Sequence, residues 1–257
     1  WHFVSADDVY WMLELTAPQI KSTTKSRNRD LGLTETILKR SQEILVKALE
    51  GHKSLTREEL SIQLNQAGIE TDGQRMPHIL METEINQIIC SGAMQGKKQT
   101  FALLTERVPV KNSLTKDEAL ALLAKKYFTS HGPATLPDFV WWSGLSVTNA
   151  RKALEMNKSE LFSETTGNET FWFAETGFKP SPLSDSVYLL PAFDEYLISY
   201  KDRSAAITID HHKKAVSNNA IFRPIIVVNG QISGLWKRTI RKDSVLIELD
   251  HFRAHSK

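Results

Sequence analysis
Side by side at Asp194-Glu195, directly after Pro191-Ala192-Phe193, stand two carboxylates. A carboxylate pair is the usual equipment for breaking a glycosidic bond, one acid protonating the leaving group while the other supplies the nucleophile or activates water. Neighbouring residues on a strand point to opposite faces, however, so the pair is badly placed for that work and Asp194 reads as a capping or ion-pairing residue. Imidazoles recur at Asp210-His211-His212 and at His251 and His255. The last two have the i, i+4 spacing that lets two histidines on a helix share a zinc ion, but no third ligand is placed, so surface histidines are expected and no metal or other cofactor is assigned. The single cysteine, Cys90, excludes an internal disulfide framework and a cysteine-based zinc cage, as in a reducing compartment. Phosphate-loop, dinucleotide and nucleophile-elbow patterns are absent, which argues against nucleotide hydrolysis and serine hydrolysis.

What remains is chemistry toward anions. The formal net charge is only +2, but it is segregated: residues 131–195 carry four Lys/Arg against nine Asp/Glu, and residues 196–257 carry eleven against five. A positive end of this kind attracts a polyanion that the total charge does not announce. The candidates there are Lys201, Arg203, Arg223, Lys237 and Arg238, with Arg241-Lys242 nearby. Lys97-Lys98 follows Gly96 and reads as the tip of a hairpin, suited to phosphate or to an ordinary charged turn. Lys25, Arg27 and Arg29, with Lys21 just before them, belong to a polar stretch, residues 22–30, that reads as a loop which phosphate would order. Asn149, Arg151 and Lys152, with Thr148, should face outward from a helix whose Val147, Ala150 and Leu154 face inward. Asn and Arg suit base edges, although a solvated face in an acidic neighbourhood is the plainer reading. Trp141-Trp142 and Phe171-Trp172-Phe173 are expected to hold a core together rather than to stack bases.

The elements that must carry these residues begin at capped helix starts, where Ser or Thr is followed three residues later by an acid. Four are present: Ser5/Asp8, Thr56/Glu59, Thr115/Glu118 and Thr135/Asp138. Ser54-Leu55-Thr56-Arg57-Glu58-Glu59 and Ser113-Leu114-Thr115-Lys116-Asp117-Glu118 suggest an internal repeat. After Thr115 a helix with Leu120, Leu123, Ala124 and Tyr127 on one side, a helix from Leu136 to Trp142, a third from Ser146 to Met156 and a hairpin turning at Thr166-Gly167-Asn168 give the order of a winged helix. The earlier unit repeats it with helices at 56–67, 75–80 and 82–91 and a hairpin around Gln95-Gly96-Lys97-Lys98. A helix at 34–50 precedes both. Strands are expected at 187–190, 206–209, 225–229, 232–237 and 245–249, with Asn229-Gly230 as a hairpin turn. With 257 residues, 41% hydrophobic and 24% charged, the chain is expected to be globular; no apolar run has the roughly 18 residues of a membrane span, so no membrane partner is assigned.

These motifs carry a family resemblance. Trp1-His2-Phe3-Val4-Ser5-Ala6-Asp7-Asp8, Gly132-Pro133-Ala134-Thr135-Leu136-Pro137-Asp138-Phe139 through Trp141-Trp142-Ser143-Gly144-Leu145, Leu190-Pro191-Ala192-Phe193-Asp194-Glu195-Tyr196, and Arg223-Pro224 to Lys237-Arg238 resemble the AlkZ-like winged-helix DNA glycosylases. The resemblance implies an α+β chain of tandem winged-helix modules ending in a β-rich, barrel-like unit, with boundaries at 1–53, 54–110, 111–180 and 181–257. It implies hydrolytic excision of alkylated or crosslinked purines from double-stranded DNA; a cytoplasmic location, from the lone cysteine, and a monomer are expected beside it. Its catalytic Gln-x-Gln or Gln-x-Asp motif belongs to a first winged helix upstream of Trp1; Gln63-Leu64-Asn65-Gln66 and Gln19-Ile20-Lys21 do not reproduce it. No catalytic residue is therefore assigned, and the chain is expected to be an inactive DNA-binding fragment. His2 is implied on a strand near DNA, or else as a buried, hydrogen-bonded histidine. The competing expectation is a non-enzymatic DNA-binding regulator or protein-interaction scaffold.

Overall fold
Capping chemistry and apolar stripes account for most of the elements that form. The computed structural model describes residues 3–110, 113–175 and 185–252, which leaves His2 and His255 outside the described residues. It divides into two compact units, Trp1–Leu123 and Ala124–Lys257.

In the first unit α1 spans Val9–Asp30, running straight through the stretch expected as a loop. Two hydroxyls in that stretch, on Thr23 and Thr24, bond back to the Ile20 carbonyl and so compete little with the helix. After Gly32, at φ 65°, the Thr34 hydroxyl caps α2, Glu35–Leu49, by accepting from the Ile37 amide, as the sequence suggests. β1 is the two-residue strand Leu55–Thr56, and Thr56 then forms a reciprocal capping box with Glu59 at the start of α3, Arg57–Gln66. α4, Arg75–Ile85, is one helix where two were expected. Pro77 is accommodated in its first turn, and the chain leaves the helix at Gln87, φ 60°, to form β2, Ile89–Ser91. β3, Thr100–Leu103, lies between β1 and β2 in an antiparallel sheet, with Leu55 opposite Phe101 and Ile89 opposite Leu103. Leu45, Leu49, Leu60, Leu64 and Ile79, all fully buried, form the core of this set. The short α5, Leu104–Arg107, follows.

A second set of the same order opens with α6, Lys116–Ser130, whose expected stripe of Leu120, Leu123, Ala124 and Tyr127 is buried. β4, Ala134–Thr135, leads into α7, Leu136–Ser143, through a capping box between Thr135 and Asp138, and Gly144 at φ 67° ends it. α8, Val147–Glu155, is capped by Ser146. β5, Leu161–Thr166, and β6, Glu169–Ala174, turn at Gly167, φ 62°, in a sheet of order β4-β6-β5. Structurally, Thr56 therefore corresponds to Thr135, at the strand-to-helix junction of each set, and not to Thr115 as the sequence repeat suggests.

The remainder holds β7, Val187–Leu190; α9, Glu195–Ile198; α10, Ile209–Ala215; β8, Ile225–Val228; β9, Gln231–Ile240; and β10, Val245–His251. The strand expected at 206–209 is instead a turn leading into α10. Among the described residues the sheet is antiparallel and open, β10-β9-β8-β7, so no barrel closes: β7 and β10 are its two edges. Asn229 and Gly230, at φ 49° and 78°, make the anticipated hairpin turn. Leu197, Ile207, Ala215, Ile225 and Val227 form its core.

Candidate nucleic-acid interface
In the first unit α1 lies on α4, and polar side chains stitch the pair. Asn28, buried in α1, donates to Glu82, buried in α4, at 2.6 Å and lies 2.7 Å from His78 Nδ1. Arg27 donates twice to the Gln74 side chain, at 3.0 and 2.7 Å, and Arg75 donates to the Leu31 carbonyl. No residue of α4 is left fully exposed. Burial also raises the Glu84 carboxyl above its usual range. Beside this seam α1 exposes Lys21, Lys25 and Arg29.

Lys97 and Lys98 occur where expected, exposed at the tip between β2 and β3, where Gln95 and Lys98 pair across the turn. Lys98 lies 3.6 Å from Glu58 at the surface. On α8, Arg151 and Lys152 are exposed and Asn149 is half-buried. Val147, expected inward, is 52% exposed, and the inward row is Ala150, Ala153 and Leu154. The ribbon that follows it exposes Glu164 and Glu169, while Glu160 just before it is paired with Lys125 at 2.5 Å.

In the second unit a polar and aromatic cluster joins α7 to the segment around α9. Asp138, buried, accepts from the Thr135 amide and hydroxyl with one oxygen and from the Lys201 and Asp202 amides with the other. This carboxylate is spent on structure. Asp194 caps α9 through the Tyr196 amide, as its capping reading requires, and the two acids belong to a helix start rather than a strand. Glu195 accepts from the Trp142 indole at 3.3 Å and from Ser199, and lies 3.5 Å from His131. Burial, reinforced by Asp138, pushes the Tyr127 and Tyr200 phenols up, so both stay protonated donors, to the Ser199 and His131 carbonyls. Of the aromatic pairs expected in cores, Trp142 joins this cluster against Tyr127 and His131, while Trp141 is half exposed.

The carboxy-terminal cations are unequal. Arg203 turns inward: its guanidinium stands 5.3 Å from the Trp141 ring and 5.2 Å from Phe222, and donates to the Leu197 carbonyl. Burial lowers its pKa, with Asp138 acting in opposition. Lys201, Arg223, Lys237 and Arg238 are exposed, with Lys237 3.8 Å from Glu248 on the adjacent strand. His211 and His212 lie on α10 and His251 on β10, so the helical His251/His255 spacing does not arise. Among the described residues no group of His, Cys, Asp and Glu is gathered for a metal. Sequence reasoning missed the burial of α4 and the Asp138–Glu195 cluster, and it named Lys21, Lys25 and Arg29 as cations of a loop where they form a row on α1; their four-residue spacing was the available signal for the helix.

The whole chain, residues 1–257, matches a family described as DNA glycosylase AlkZ-like. It is 26% identical over 159 residues to an interstrand DNA cross-link repair glycosylase of Streptomyces sahachiroi, an alignment that spans 58% of this chain and 43% of that relative. The solved structure of the Streptomyces sahachiroi DNA glycosylase AlkZ has the same fold, with a TM-score of 0.75 at 21% identity over 99% of this chain and 71% of the other.

Proposed function
The chain belongs to the AlkZ-like DNA glycosylase family, and on that premise we propose that it is the DNA-holding part of an enzyme that hydrolyses the N-glycosidic bond of alkylated or crosslinked purines. The observation that carries the reading is the family match along the whole chain; the exposed cations on α1, on the β2–β3 turn, on α8 and on the last sheet support it. The two sets of helices and strands act as winged helices. Lys97, Lys98, Lys201, Arg223, Lys237 and Arg238 meet phosphate, and Asn149, Arg151 and Lys152 reach toward base edges, while Arg203 holds the second unit together; His2, outside the described residues, is kept as a DNA contact of the family reading. The partner is double-stranded DNA, bound by a monomer in the cytoplasm of a bacterial cell. Among the described residues no helix is long and apolar enough to cross a membrane.

In the complete reaction a water attacks C1′ while the site stabilises the departing purine and the positive charge developing on the sugar. No residue described above is placed for that step. Asp138 is saturated with hydrogen bonds, Glu195 is engaged by Trp142 and Ser199, and Gln63 and Gln66 are exposed on α3. Catalysis is therefore assigned to a longer polypeptide, and the test is base release from alkylated and from crosslinked duplex by this chain and by a form extended at its amino terminus. The expected result is duplex binding by both and release only by the extended form; release by the short chain overturns the division. The anionic β5–β6 ribbon favours a second reading, a scaffold for a basic protein partner. Absence of duplex binding at low salt would select it.

A further inference from the structure
From Gln19 to Arg29 the sequence carries four cations and no acid, and the structure makes this stretch a helix rather than a loop. Positions 21, 25 and 29 fall four residues apart, so Lys21, Lys25 and Arg29 line one side of α1, and all three are exposed. Among the described residues none of the three has an ion-pair partner. Arg27 is separate, its guanidinium committed to Gln74. Cations in a last helical turn are ordinarily explained by the helix dipole, which suffices for Arg29. That explanation fades within a turn, and Lys21 and Lys25 lie further back. Asn28, three residues after Lys25 and seven after Lys21, enters the α4 interface beside the row, so the three cations border the α1–α4 seam and α1 is held in one rotation about its axis.

We infer that the exposed flank of α1 that borders the α4 seam is a rail for the phosphate backbone of one DNA strand, and that it takes over the contact which α4, covered by α1 itself, is unable to make. This rests on the duplex-binding function proposed above. Each four-residue step advances about 6 Å along a helix, and a strand carries a phosphate roughly every 3.4 Å of rise. The row therefore spans about three to four phosphates of one strand, using a side-chain pattern that places charge without reading bases. Ser22 and Ser26, exposed on the adjoining row, add uncharged donors of matching spacing.

The test is the variant Lys21→Gln/Lys25→Gln/Arg29→Gln, in which Gln preserves helix propensity; circular dichroism verifies the fold. Binding of a short fluorescein-labelled duplex is followed over a salt series, with Lys39→Gln/Lys47→Gln/Lys53→Gln, three exposed cations of the same unit, as a charge-matched control. The row variant should bind about 10- to 100-fold more weakly near 0.1 M salt, and its log–log salt slope should be shallower by about 2 to 3, roughly 0.9 for each lost phosphate contact. The control and Arg27→Gln should keep the parental slope. Equal losses in row and control variants overturn the rail in favour of a diffuse field, and an unchanged slope in the row variant overturns it while duplex binding stands. If the parent binds no duplex at low salt, both readings fall; retention of polyglutamate by that same protein would reassign the row to an acidic polypeptide.

Discussion
The helix that follows the capped helix meets opposite fates in the two sets of elements. α4 is covered along its whole length, with α1 bonded to it through Asn28, Arg27 and the Leu31 carbonyl. α8 buries one row, Ala150, Ala153 and Leu154, and leaves Thr148, Arg151, Lys152 and Glu155 in water. The hairpins reverse the contrast: Lys97-Lys98 tips the first and Glu164 and Glu169 flank the second turn. Equal order of elements thus does not mean equal use. The neighbour that covers a helix decides what it can touch, and composition records the outcome, since α4 carries Met76, Ile79, Leu80 and Ile85 where α8 has a narrow alanine and leucine stripe.

The largest effect is expected where α1 seals α4. Asn28→Ala leaves the buried Glu82 carboxylate without that donor, which should cost about 3 kcal/mol of unfolding free energy because an unsatisfied buried group loses its full solvation. Arg151→Ala, on the open side of α8, should stay within about 0.5 kcal/mol. Urea midpoints measure both. Replacing both partners, Asn28→Leu with Glu82→Leu, should recover much of the loss; if the double variant is worse than the single one, the seal depends on the polar bond itself and the contrast needs another cause.

A smaller difference separates the two capping boxes. Thr56→Ala removes one cap, worth about 1 kcal/mol. Asp138→Ala should cost more, about 2 kcal/mol, since it also abandons the Lys201 and Asp202 amides. Equal costs would mean that the α7 carboxylate does nothing beyond capping.

Local signals were the legible ones. Thr34, Thr56, Thr115, Thr135 and Ser146 marked helix starts because a hydroxyl and an amide three residues apart in sequence need no tertiary partner, and the Leu120–Tyr127 stripe marked a face for the same reason. The repeat was misread because the capping pattern recurs at any helix start: Thr115 begins α6, whereas the junction equivalent to Thr56 is Thr135. α1 beyond Ile20 was illegible, since the fixed point of that half is Asn28 meeting Glu82, more than fifty positions away. Lys97-Lys98 could be placed from Gly96 alone. Arg203 could not, because its inward turn depends on Trp141 and Phe222.

The covered helix should also leave a pH signature. Burial raises the Glu84 carboxyl above 4.5, so the folded chain holds that proton more tightly than the unfolded one. Its contribution is complete below about pH 4.5 and is lost as pH rises through the raised folded value. Glu84→Gln does not ionise, so its melting temperature relative to the parent should climb as pH increases over that window. A constant difference across the window would mean that Glu84 is solvated in solution.

The smallest expected effect lies at the cationic hairpin. Lys98 is 3.6 Å from Glu58, and both side chains are 65% exposed, so the pair is loose and screened. A phosphate approaching the turn competes with this carboxylate for the ammonium group. Glu58→Gln removes the competitor and should tighten duplex binding about two- to threefold at low salt, with the gain vanishing near 0.5 M salt as screening shortens the reach of both charges. The gain should also vanish when Lys98→Gln is already present, because the carboxylate then has no lysine to withhold. If Glu58→Gln helps equally in both backgrounds, the carboxylate acts only through its general repulsion of DNA. The first hairpin would then differ from the second in degree of charge and not in possessing a phosphate contact held in check.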